Sequence, residues 1–179
     1  MKPQFRPLFC AGGLLLALAA ATGARAEDVP ILKPGLWEMK MSMQSDPPSV
    51  AKTMEVNTRQ CLGQTTEKEA KALLFGTNNN DTTCSKQDIR KTATGYTIDA
   101  VCANKLTGAT TTTHTELTGD LSSSYTVKST SRTEGGKGGR EDGNVTGSAK
   151  RVGDCTAGWK PGDVEAPDGS RFNLKDPGK

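Results

Sequence analysis

Four groups of side chains in this sequence could do chemistry. The first is the set Cys61, Cys84, Cys102 and Cys155, which could bridge, bind a metal or act as nucleophiles. They contain no Cys-x-x-Cys pair, so a thioredoxin-like redox motif is absent. The second is His114, the only histidine, which any Ser-His-acid or Cys-His site would have to use. It lies within Thr110-Thr111-Thr112-Thr113-His114-Thr115, and a lone histidine on a strand is far more often a surface neighbour than a base. The third is the row Met39, Met41 and Met43, whose soft thioethers suit Cu(I). The same row is what a core-facing strand needs, because methionine fills irregular gaps. The fourth is the glycine-rich stretch from Glu134 to Gly143. A phosphate-binding loop needs Gly-Lys-Ser/Thr opening a helix, whereas here Lys137 precedes Gly138 and a strand follows. That stretch reads as a hairpin connection. Paired acids for acid–base work are not visible as a motif, so the residues point away from an enzyme.

Compartment decides what the cysteines do. Lys2 and Arg6 precede an apolar run from Leu8 to Ala21, and Ala24-Arg25-Ala26 offers small residues for a signal peptidase. Residues 1–26 read as a secretory signal peptide cut between Ala26 and Glu27, with an apolar part too short to span a membrane stably. Cys10 comes before the apolar core, which does not fit a lipidation cysteine. The expected location is the periplasm, with no membrane span after signal removal. In an exported chain four cysteines read as two structural bridges rather than a reactive or zinc-binding set. Three pairings are possible. The favoured one is Cys61–Cys84, bracketing a helix, with Cys102–Cys155 tying a middle strand to the last.

The signal also accounts for the charge. The chain has 23 Lys+Arg and 20 Asp+Glu, and Lys2, Arg6 and Arg25 fall within the signal, leaving 23 − 3 = 20 bases against 20 acids. A neutral domain gives no electrostatic reason to expect nucleic acid or an anionic membrane as partner. Large apolar groups are scarce and threonine is abundant, so the core is modest and needs staples.

The elements that must hold these residues are mostly strands. From Trp37 to Gln44 apolar and polar residues alternate strictly, the period of a strand with one buried face, and Trp37 is the largest core anchor. Pro34-Gly35 marks the turn that feeds it. A second strand runs from Thr53 to Leu62, with Met54, Val56 and Thr58 on one face. Thr65 to Gly76 is the one helix, with Thr66 and Glu69 as a capping box and Gly76 as its C-terminal cap. Strands follow over Cys84–Thr92, Tyr96–Ala103, Thr110–Thr118, Ser124–Thr133 and Asn144–Val152. The fold class is mainly β: an antiparallel meander of about seven strands, closed as a small barrel or curved as a half-barrel, with one short helix after the second strand. Residues 27–155 form a single domain, and the Pro/Gly-rich residues 156–179 read as a flexible C-terminal tail.

An exported N-terminus, the opening Lys33-Pro34-Gly35-Leu36-Trp37-Glu38, cysteines at 61, 84 and 102 and the terminal Gly153-Asp154-Cys155 resemble a family of small bacterial periplasmic proteins known as a domain of unknown function. The resemblance runs from about Leu32 to Cys155 and implies a bacterial envelope protein without implying an activity. The expected function is a non-enzymatic exported module that binds an apolar ligand or an envelope partner, without a cofactor. The alternative is Cu(I) binding through Met39, Met41 and Met43.

Overall fold

The computed structural model describes residues 29–46, 53–75, 81–136 and 139–174. The expected signal peptide with its Ala26–Glu27 cut, the Pro47-Pro48 loop, Gly76 as a helix cap, and Lys137-Gly138 lie outside the described residues. Among the described residues nine strands form one antiparallel sheet: β1 (Gly35–Asp46), β2 (Met54–Leu62), β3 (Thr82–Lys91), β4 (Gly95–Asn104), β5 (Thr110–Asp120), β6 (Ser124–Glu134), β7 (Glu141–Gly153), β8 (Asp163–Glu165) and β9 (Arg171–Asn173). Their spatial order is β3-β4-β5-β6-β7-β1-β2-β8-β9, so β3 to β7 meander in chain order and the β1–β2 hairpin joins through β1. The sheet curves and does not close, which resolves the choice between barrel and half-barrel.

One face of the sheet carries the core. Helix α1 (Glu67–Leu74) lies on it, where Ala70 and the following Phe75 pack with Val29, Ile89, Ile98, Ala100 and Leu117. A helix this short is marginal alone, so packing and its cap must hold it. The capping box forms as the spacing predicts: the Thr66 N–H donates to Glu69 Oε2 at 2.8 Å, and the Glu69 N–H donates to Thr66 Oγ1 at 3.2 Å.

The Pro34-Gly35-Leu36-Trp37 opening has a packing reason at each step. Gly35 has φ 140°, and a Cβ there would lie 2.4 Å from the Gly153 carbonyl and 2.6 Å from the Arg151 guanidinium. Arg151 Nε donates to the Pro34 carbonyl at 2.8 Å, so the guanidinium fills the space that glycine leaves. Trp37 is fully buried, and its Nε1 donates to the Lys33 carbonyl at 2.9 Å.

Two expectations are corrected. The bridges are Cys61–Cys155 and Cys84–Cys102, not Cys61–Cys84 and Cys102–Cys155. Cys84 and Cys102 face each other directly in the β3–β4 ladder. Cys61 stands opposite Leu36, and Leu36 stands opposite Gly153, so inserting β1 between β2 and β7 brings Cys155 to Cys61. The second correction is the tail. Residues 163–165 and 171–173 extend the sheet beyond β2, so this part of the tail has regular structure. Composition alone misses the contacts that hold it. Arg59 and Arg171 both pair with Glu165, at 3.4 and 3.2 Å, and both guanidinium groups lie over Trp159, at 5.7 and 4.1 Å from the ring centre. Val164 is buried as well.

Candidate functional site

Register places the methionine row on the helix-bearing face. Met39 stands opposite Ala149 and Thr58, Met41 opposite Gly147 and Val56, and Met43 opposite Val145 and Met54. The same rows continue through β7 into β6 and β5, from Ala149 to Tyr125, and from Gly147 through Val127 to Leu117. Directly opposed residues point to the same side, so these side chains share one curved surface. Gly147 makes room for it: a Cβ there would come within 2.3 Å of Met41 Sδ. The three methionines, Val56 and Val145 remain half-buried in the folded chain, whereas Leu117 and Ala149 are buried. Further along, the inner face turns to hydroxyls, and these satisfy one another: Thr111 and Thr133 at 2.9 Å, Thr115 and Ser129 at 2.7 Å.

Where the lead-in, α1 and the sheet meet, they leave a cavity of about 170 Å³. Its walls include Leu32, Leu62, Ala70, Leu117, Leu121 and Tyr125. Burial pushes the Tyr125 hydroxyl above its ordinary pKa, as expected of a phenol set among apolar groups. The Tyr125 ring lies 5.8 Å from that of Trp37, so Trp37 stands where the cavity meets the methionine rows. Apolar cavities of about this size accept small apolar guests, and this one is partly open to solvent. Sequence reading misses the cavity because its walls come from the lead-in, β2, α1, β5 and β6, which no local pattern joins. Met54 shares a face with Val56 and Thr58, as the alternation predicts, but only the register sets it beside Met43.

His114 lies on the opposite, exposed face, away from the methionines and the bridges. Its Nδ1 is 2.8 Å from Asp99 Oδ1, and its Nε2 is 3.7 Å from Glu116 Oε1. Both ring nitrogens thus face carboxylates rather than a hydroxyl nucleophile. The hydrogen bond to Asp99 raises the His114 pKa above its ordinary value, and the same bond, with help from Lys86 and Arg90, lowers that of Asp99. The raised imidazole stabilises the fold fully below about pH 6.5 and loses that effect as pH rises through its folded pKa. The lowered carboxylate contributes above about pH 3.9 and loses its effect as pH falls through its own folded pKa. His114→Gln is therefore expected to lower the melting temperature most between about pH 4 and 6.5, and hardly at alkaline pH. Both groups are solvated, so the loss should match an exposed pair, about 0.2–1 kcal/mol. Melting curves of both proteins across pH 4–9 measure it, and an equal loss at every pH would show that the ion pair is not its source.

Cys61, Cys84, Cys102 and Cys155 are all bridged. Among the described residues no group of three or more His, Cys, Asp or Glu side chains is placed to hold a metal ion. Gly135 and Gly136 take left-handed φ of 80° and 68° in the connection between β6 and β7, the hairpin that the glycine-rich stretch predicts. No described helix is long and apolar enough to cross a membrane.

Residues 32–155 match the family described as "Protein of unknown function (DUF3617)", and the chain belongs to that family. The β8–β9 extension lies beyond the matched residues. No curated protein and no solved structure matches the chain.

Proposed function

We propose that this family member is a non-enzymatic binding module, exported to the periplasm by its signal peptide, that holds an apolar ligand on the inner face of its sheet. The observation that carries the reading is the apolar cavity of about 170 Å³ beneath Leu117 and Tyr125, continued by half-buried methionine rows. A ligand with its apolar end in the cavity and its length over Met39 and Met41 would remove both surfaces from water. Such burial is favourable by roughly 25 cal/mol per Å². Methionine suits the role, since its flexible thioether adapts to guests of different shape. The two bridges accord with export, and the signal peptide supplies the route.

Native mass spectrometry of protein recovered from the periplasm tests this. The expected species begins at Glu27, carries both bridges and retains an apolar small molecule. The stripped protein should take up N-phenyl-1-naphthylamine saturably. Met41→Glu should weaken that uptake about tenfold or more, because the ligand would bury an unpaired carboxylate. Uptake indifferent to Met41→Glu would refute the site.

The alternative reading, Cu(I) held by thioethers, gains one candidate ligand from the register, since Met54 stands directly opposite Met43. The triple variant Met39→Leu/Met41→Leu/Met43→Leu separates the two: it should keep naphthylamine uptake and lose any Cu(I) binding.

A further inference from the structure

The extension covers only part of the β2 edge. β8 pairs with Arg59 and Gln60 alone, so among the described residues nothing pairs with Met54–Thr58 on the side away from β1. Open edges invite strand addition, and proteins blunt them with bulges, lysines, prolines or very short strands. The other edges are blunted. β3 has a bulge between Cys84 and Lys86 and carries Lys86, Arg90 and Lys91. β9 is three residues long. The Met54–Thr58 window has none of these devices: its ladder with β1 is regular, it contains neither lysine nor proline, and Met54 is 51% exposed.

We propose that a second copy of this chain pairs here, Met54–Thr58 against Met54–Thr58, antiparallel about a two-fold axis through Val56. In this register Val56 meets Val56, Met54 meets Thr58, and Glu55 meets Asn57, so no like charges are opposed. Centring the pair on Glu55 would set two carboxylates against each other. Centring it on Asn57 would call on Arg59, which β8 already occupies. The window therefore fits itself in the one register that uses its full length. A two-fold axis normal to the sheet puts both inner faces on the same side. The row that runs through Met41 and Val56 then continues into the same row of the second copy. The contact is isologous and closed, which limits it to a dimer.

Asn57 is exposed and stands opposite Lys40 of its own chain, which makes it a two-way test. Asn57→Glu adds a favourable neighbour to Lys40 within the monomer but sets a carboxylate against Glu55 twice across the axis. Asn57→Lys does the reverse on both counts. Sedimentation equilibrium over a range of concentrations should show a weak monomer–dimer equilibrium for the exported protein. Its Kd should rise several-fold in Asn57→Glu and fall several-fold in Asn57→Lys, while the melting temperature of the dilute monomer moves the opposite way. A merely structural role would move both readouts together. Monomer at every concentration, or a dimer whose Kd ignores both substitutions, would overturn the proposal.

Discussion

Trp37→Ala is expected to cost this domain about 3–5 kcal/mol, the usual range for truncating a buried tryptophan. Among the described residues Trp37 is the largest fully buried side chain. Its indole does three things at once. It fills the space beside Tyr125, with the rings tilted by 54° and 5.8 Å apart. It donates Nε1–H to the Lys33 carbonyl, which fixes the lead-in before β1. It also occupies the strand between β2 and β7, the joint through which the β1–β2 hairpin joins the meander. Alanine removes the packing and leaves the Lys33 carbonyl without that donor. A single domain is stable by only about 5–15 kcal/mol, so the variant should be largely unfolded near its former melting point. The measurement is the urea midpoint, with Phe172→Ala as a control, because Phe172 is 41% exposed and should cost far less. Equal midpoints for Trp37→Ala and the wild type would mean that the indole is not the anchor of this core.

What could be read in the sequence is what depends on short range. The alternation from Trp37 to Gln44 sets the inner and outer faces of β1, because successive strand side chains point to opposite sides. The Thr66 and Glu69 pair marks the start of α1, because a capping box is complete within four residues. Strand order is a different matter. Nothing in β1 states that it will lie between β2 and β7, and both disulfides follow from neighbours of that kind. For one bridge a local signal did exist. Cys84 and Cys102 stand almost symmetrically about the Thr92–Gly95 turn, so folding that hairpin sets them opposite each other, offset by one bulge. The tail misleads for a related reason. Its Pro and Gly content is that of a loop, but the Trp159 and Glu165 side chains, which Arg171 also contacts, find Arg59 only after β2 has been placed. The cavity under Tyr125 is assembled from segments distant in sequence and has no sequence signal at all.

The two bridges should differ in what they contribute, and the order follows from the pairing. In the chain-entropy model a disulfide stabilises by restricting the unfolded chain, more so for a longer loop. Cys61–Cys155 closes a separation of 94 residues and Cys84–Cys102 one of 18. The model then gives about 4.7 kcal/mol for a loop of the first size and about 3 kcal/mol for one of the second. The folded state argues the same way. Cys84 and Cys102 lie on adjacent strands that a short turn already joins, so the hairpin keeps its register without the bond. Cys61 lies near the end of β2 and Cys155 just beyond β7, strands separated by β1, and the Gly162 N–H donates to the Cys61 carbonyl at 2.8 Å, so this bridge also anchors the start of the extension. Replacing Cys61 and Cys155 together by alanine should lower the melting temperature by about 10–20 °C, taking about 2–4 °C per kcal/mol for a domain of this size. The Cys84→Ala/Cys102→Ala variant should lose less. Thermal melts of both double variants decide the order. A larger loss on opening Cys84–Cys102 would show that the bridges act on the native sheet edge rather than on the unfolded chain.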